Sequence, residues 1–136
     1  MNAKDHFSGD WKLNLRKSQF APGHHPTNGI MHWEQTAEGY RMTAQKTGDN
    51  GQIVEERPLN VILDGKEHLI PDLPGWSAMM SQPTPNCIEA ESKHIDRRSG
   101  NASYVVSADG TTMTANVSGF DAQQRSFQTV LVWDRL

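Results

Sequence analysis

The chain has 136 residues, 13 of them basic and 16 acidic, which gives a net charge of −3 at pH 7. This length predicts one domain, residues 1–136, with enough apolar material to bury a core. Arg97-Arg98 is the densest cationic pair, so we expect no nucleic-acid binding, which depends on clustered Lys and Arg side chains. No apolar run reaches the roughly 18 residues of a membrane-spanning helix, and we expect no membrane span.

The cysteine content and the first residues bear on the cellular compartment. Cys87 is the single cysteine, so no internal disulfide is expected. The segment Met1 to His6 is polar and lacks the apolar stretch of a secretory signal. These features fit a cytoplasmic protein, or a periplasmic or secreted one from which a leader has been removed.

Short apolar–polar alternations, broken by turn residues about every ten positions, predict an all-β domain. The predicted strands are 8–15, 29–37, 40–47, 52–63, 66–70, 75–82, 86–93, 98–106, 111–118 and 126–134. In the first strand, Trp11, Leu13 and Leu15 are expected to share one face. Pro58 predicts a bulge or an edge position in the fourth strand, because proline cannot donate to a ladder. Strands of this kind are best accommodated in a closed antiparallel barrel, which can enclose a small-ligand cavity.

Two terminal segments resemble known β-barrel proteins. Phe7-Ser8-Gly9-Asp10-Trp11-Lys12-Leu13 resembles the Gly-x-Trp start of lipocalins and fatty-acid-binding proteins, and Val130-Leu131-Val132-Trp133-Asp134-Arg135 resembles their last strand. Three further segments are similar to a group of small bacterial lipocalin-like proteins: Ser18-x-Phe20-x-Pro22-Gly23, Asp64-Gly65-Lys66 and Val105-Val106-Ser107-Ala108-Asp109-Gly110-x-x-Met113-Thr114.

This resemblance implies a lipocalin-like antiparallel β-barrel of about eight to ten strands that binds a small hydrophobic or amphipathic molecule. It also implies that Arg135 covers Trp11 in a cation–π contact at the barrel floor. Fatty-acid-binding proteins carry a helical lid between their first two strands. Here that connection, 16–28, contains Pro22, Gly23 and Pro26 and has no helical pattern, so we expect a loop there or no lid.

The strand pattern places one aromatic and methionine set on faces that are predicted to point inward. Ligand pockets are mostly apolar, and methionine adapts to varied shapes. The candidate ligand-binding residues of this kind are Met31, Trp33, Tyr40, Met42, Trp76, Met80, Tyr104 and Phe127. The alternative interpretation is that these side chains simply fill the barrel.

Arg57 and His68 are the polar candidates. Arg57 shares its strand parity with Glu55, Leu59 and Val61. If that parity faces inward, Arg57 could bind a ligand carboxylate and Glu55 could act as a base. If it faces outward, the two are ordinary charge partners on the sheet surface. His68 follows a turn, and it could transfer a proton to a ligand beside it or be a surface histidine.

The sequence motifs indicate neither a metal site nor a cofactor site. The six histidines lack the spacing of a metal site, and the chain has neither a phosphate-binding glycine loop nor a Gly-x-Ser-x-Gly elbow. The first functional hypothesis is a binding barrel for a small, mostly apolar ligand. The alternative is a cofactor-independent acid–base enzyme of the isomerase, cyclase or hydratase type, with His68 and Glu55 as its pair. A third hypothesis is a filled barrel that acts through a partner surface around Trp76.

Overall fold

A computed structural model describes residues 5–19, 28–47, 53–70, 74–95, 97–120 and 123–136, without the side chains of strand residues 28, 46–47, 53–57 and 97–99. The described residues form ten strands, and each strand end lies within two residues of its predicted position. The strands are β1 (Gly9–Leu13), β2 (Asn28–Gln35), β3 (Gly39–Thr47), β4 (Ile53–Ile62), β5 (Glu67–Leu69), β6 (Trp76–Thr84), β7 (Cys87–His94), β8 (Arg97–Val106), β9 (Thr112–Phe120) and β10 (Ser126–Arg135).

All ten strands belong to one antiparallel sheet, in the order β4-β3-β2-β1-β10-β9-β8-β7-β6-β5. The first and last strands of the chain are therefore neighbours, with Trp11 opposite Arg135. The sheet curls into a half-barrel, so that β4 comes into contact with β6. In the described part of the chain, β4 and β5 are the two edges of the sheet. The prediction of an all-β, lipocalin-like antiparallel barrel is confirmed.

One end of the half-barrel is closed by a packed core. Phe7 and Trp11 are fully buried there, and Trp33, Val106 and Met113 join them from the neighbouring strands. The alternation of β1 places Trp11 and Leu13 on the concave face, as predicted. The prediction for Leu15 is wrong, since β1 ends at Leu13 and Leu15 is exposed.

Arg135 ties this packed end together. Its guanidinium lies 4.2 Å from the centroid of the Trp11 ring, which confirms the cation–π contact. The same group donates to the carbonyl oxygens of Gly110 (2.7 Å), Ser8 (2.7 Å) and His6 (2.6 Å). One side chain therefore joins the N-terminal segment, the β8–β9 turn and the last strand.

The bulge predicted at Pro58 is present in β4. Met42 pairs with Leu59 and Ala44 pairs with Glu56, so two residues of β4 lie opposite one residue of β3. The extra residue shifts the alternation by one position. The alternation of Leu59 and Val61 therefore does not carry across the bulge, and the orientation of the Arg57 side chain, which lies outside the described part, stays a prediction.

Candidate functional site

The concave face of the sheet is fully packed at one end and less completely buried in its middle. A row of register neighbours runs across five strands there, and every member is half-buried. The row consists of Met80, Ala90, Ala102, Val117 and Thr129. Met80 packs against the core, which places the whole row on the concave side. Protein interiors are close-packed, so inward residues that keep part of their exposure border open space.

Small side chains create this opening. Ala90 and Ala102 are paired neighbours, and the next inward pair toward the packed end is Ile88 with Tyr104. Ile88 is buried, whereas the alanines are not. Met80 is the one member of the row that was predicted as a site residue, because the other four side chains are not large. The signal was available, since Ala90 and Ala102 alternate with Ile88 and Tyr104 on their strands.

The floor of the open part is aromatic. The Trp33 ring lies 5.4 Å from Phe7, 5.6 Å from Tyr40 and 5.9 Å from Tyr104, measured between ring centroids. Trp33 comes from β2 and Tyr104 from β8, so this contact crosses the inside of the half-barrel. The pairs with Tyr40 and Tyr104 are edge-on and the pair with Phe7 is tilted, and such pairs are favourable and restrict the ring positions. The floor is therefore a rigid base beneath the half-exposed row.

Asp5 and Tyr40 fasten the floor to the N-terminal segment. The Tyr40 hydroxyl donates to Asp5 Oδ1 at 2.8 Å, and the same oxygen accepts the amide N–H groups of Phe7 and Ser8. Burial and the Asp5 carboxylate raise the pKa of Tyr40. Burial opposes ionisation of Asp5, but the hydrogen bonds from Ser8, Tyr40 and Phe7 outweigh it and lower the pKa of Asp5. Neither Asp5 nor Phe7 was singled out as a candidate from the sequence.

The predicted aromatic and methionine residues divide between these two zones. Met31, Trp33 and Tyr40 are buried in the packed end. Met42, Met80, Tyr104 and Phe127 are half-buried, and the Phe127 ring lies against Gly119, where a Cβ would come within 3.2 Å of the ring. Trp76 lies farther along β6, with its ring 4.8 Å from His94. The assignment of all eight as ligand contacts stays a prediction.

The structure does not bring Arg57 and His68 into one described site. The Arg57 side chain and that of Glu55 lie outside the described part, so their roles stay predictions. His68 lies on the edge strand β5, and its Nε2 is 2.9 Å from Asp64 Oδ2. The amide of Lys66 and the His68 ring lower the pKa of Asp64. His68 is thus held by Asp64 at the edge of the sheet, with a side chain that is 41% exposed.

A groove of about 480 Å³ crosses the middle of β6 to β10 and is bordered by four members of the half-exposed row, Met80, Ala90, Ala102 and Val117. Its lining residues are Gly65, Met79, Met80, Ser81, Glu89, Ala90, Glu91, Asn101, Ala102, Ser103, Asn116, Val117, Ser118 and Gln128. Most of these alternate with the half-exposed inward row along their strands, so we place the groove on the convex face. Of the predicted site residues, Met80 is the one that lines it. The groove is rich in carboxylates, amides and hydroxyls, unlike the apolar concave face.

Among the side chains that are described, no three His, Cys, Asp or Glu residues are grouped so that they could hold a metal ion. Within the same part of the chain, no helix has the length and apolar character needed to cross a membrane.

Comparison with known proteins identifies the architecture. The structure superimposes on As-p18, an extracellular fatty-acid-binding protein, with a TM-score of 0.60 and 13% identity over 100% of both chains. The fold is that of a calycin-like β-barrel. A zebrafish ileal bile-acid-binding protein, solved with cholic acid, matches with a TM-score of 0.54 and 12% identity over 97% of this chain and 100% of its own. No protein-family model and no curated protein sequence matches the chain.

Proposed function

We propose that this protein binds a small, mostly apolar molecule on the concave face of its half-barrel. The observation that carries the proposal is the inward row Met80, Ala90, Ala102, Val117 and Thr129, which stays half-exposed above a fully packed floor. A core without a ligand would gain from filling this space with larger side chains. The lining is apolar apart from Thr129, which suits the apolar body of a ligand and one polar contact.

The comparisons support the same class of function. One structural neighbour is described as a fatty-acid-binding protein, and the other was solved with cholic acid. Fatty acids and cholic acid both combine an apolar body with a polar group. The shared fold extends over nearly the whole chain, so an amphipathic ligand of similar size is the natural candidate here. The acid–base alternative keeps His68 as its candidate, with Asp64 as the partner that holds it.

The proposal is tested by obstructing one face of β8 at a time. Ala102→Phe projects a ring into the concave face, and Ser103→Phe projects the same ring from the next residue into the convex groove. The probe is 11-(dansylamino)undecanoic acid, titrated by its fluorescence. We expect Ala102→Phe to weaken binding by about tenfold or more, and Ser103→Phe to change it by less than about twofold. Val117→Phe is a second inward variant in case Ala102→Phe lowers stability.

The opposite ranking would contradict the proposed location. If Ser103→Phe weakens binding and both inward variants bind like the unmodified protein, the ligand occupies the convex groove. If the unmodified protein binds neither this probe nor a neutral apolar dye, the binding function itself is wrong. Circular dichroism and urea unfolding of each variant show whether the fold is retained.

A further inference from the structure

Trp33 carries a buried hydrogen-bond donor that the described part of the protein does not use. Its side chain is almost fully buried, and its indole Nε1–H has no acceptor among the described residues. Trp11, which is equally buried in the same core, donates its indole N–H to the Phe7 carbonyl at 2.9 Å. Buried donors without a partner are rare in native proteins, and each calls for an explanation. An acceptor that arrives with a ligand would explain this one.

The position of Trp33 allows a ligand to supply that acceptor. Its ring touches Tyr104, a half-exposed residue that lies two positions from Ala102 on the same face of β8. Met80, the first member of the open row, packs against the core cluster to which Trp33 belongs. Methionine changes shape readily because it has three rotatable side-chain bonds. A molecule on the concave face therefore meets the floor beside the indole after a small movement of Met80 or Tyr104.

The surroundings of Trp33 select the charge of the acceptor. Three aromatic rings contact the indole, and they offer no positive charge to a buried anion. Tyr40, one of the three, is hydrogen-bonded to the Asp5 carboxylate. A second carboxylate at this floor would be desolvated and would be repelled by Asp5. A neutral carbonyl oxygen carries a smaller desolvation penalty, which one hydrogen bond can offset, and it has no charge for Asp5 to repel.

We propose that the indole N–H of Trp33 is the hydrogen-bond donor of the ligand site and selects a neutral ligand with a carbonyl oxygen, such as a ketone or an ester. This inference rests on the proposed binding function and narrows it to a ligand class. The proposed neutral ligand also differs from the acids named for the two structural neighbours.

Two probes of nearly identical shape test the inference. In 2-decanone a carbonyl oxygen can accept a hydrogen bond, and in 2-methyl-1-decene a methylene group takes its place. Both compete with a fluorescent apolar dye for the protein at pH 7. We expect the ketone to bind about tenfold tighter than the alkene, the effect of one well-made hydrogen bond to a buried partner.

Replacement of the indole N–H assigns this preference to one residue. β-(3-Benzothienyl)alanine has a sulfur where tryptophan has the N–H, and it is introduced at position 33 or, as the matched control, at position 11. At position 33 the ketone preference should fall to about twofold or less, while the ligand-free protein stays at least as stable. At position 11 the preference should persist while stability falls, since the Phe7 carbonyl loses its donor.

The outcomes separate this inference from the function on which it rests. If both probes bind the unmodified protein equally, binding stands and the role of Trp33 is refuted. The role is also refuted if the preference survives the replacement at position 33. If neither probe binds, both the inference and the proposed function are wrong.

Discussion

Replacement of Arg135 is the sharpest test of how the packed end is stabilised. The guanidinium makes three short hydrogen bonds to the backbone carbonyls of His6, Ser8 and Gly110, and it stacks on Trp11. A hydrogen bond to a charged group contributes about 1.5–3 kcal/mol, and a cation–π contact contributes about 0.5–1 kcal/mol when exposed. Water replaces part of this in the half-buried site. We therefore expect Arg135→Ala to lower the free energy of unfolding by about 3–5 kcal/mol.

Arg135→Lys is the matched control for charge. The lysine ammonium keeps the positive charge, but its compact head cannot reach three carbonyls on two separate segments. We expect about half of the loss caused by Arg135→Ala. Urea unfolding followed by tryptophan fluorescence measures both variants, and their m-values should match that of the unmodified protein. A loss below about 1 kcal/mol for Arg135→Ala would refute the reasoning, because it would mean that water satisfies the three carbonyls equally well.

Three further predictions concern the same end of the molecule, and urea unfolding measures each of them. Phe7→Ala removes a fully buried ring and should cost about 3–5 kcal/mol; a cost near 1 kcal/mol would show that the floor collapses around the gap. Gly39→Ala should lower the free energy of unfolding by about 2–4 kcal/mol, because Gly39 has a φ of +155° and a Cβ there would collide with the Val61 carbonyl oxygen. The control is Gly65→Ala. Gly65 has a φ of +71° and open space around a Cβ, so this substitution should lower the free energy of unfolding by only about 1–2 kcal/mol. The lowered pKa of Asp5 stabilises the fold above the unfolded pKa of about 4, and this stabilisation is lost as the pH falls through the lower folded pKa. Asp5→Asn should therefore flatten the loss of stability as the pH falls below about 4, and an unchanged profile would contradict the Asp5 hydrogen bonds.

The sequence predicted the strands well because the turn chemistry is local. Asp64-Gly65 and Asp109-Gly110 adopt the turns that their residue types favour, with φ of +71° and +76° at the glycines. Asp109 accepts hydrogen bonds from Ser107 and Thr111, which lower its pKa to about 2. Such contacts span a few residues and can be recognised without the fold. The contact of Arg135 with Trp11 spans the whole chain and was predicted through the resemblance alone.

The candidate site was harder to predict because a bulge shifts the alternation of inward and outward side chains along a strand. The alternation through Leu59 and Val61 was extended across Pro58 to Arg57, and the register shift opposite Met42 and Ala44 breaks that extension. Proline signals that a bulge occurs, but the position of the extra residue depends on the neighbouring strand. No single residue type in a sequence marks open space in the folded protein. It arises where Ala90 and Ala102 meet across two strands, and only the register shows that meeting.

The packed end of the concave face stabilises the fold, and we propose that the half-exposed row binds the ligand. Phe7, Trp11 and Arg135 hold the packed end, and their contacts lie away from the half-exposed row. Ala102 and Val117 are only partly buried, so enlarging them should cost less packing than a change in the floor while it obstructs the binding face. Substitutions in the packed end should therefore change unfolding more than ligand affinity, and substitutions in the row should do the reverse. Trp33 lies where the two parts meet: its ring supports the floor, and its N–H, which has no acceptor among the described residues, is the donor that we propose for the ligand. It is the position at which a conservative replacement should move stability and selectivity in opposite directions.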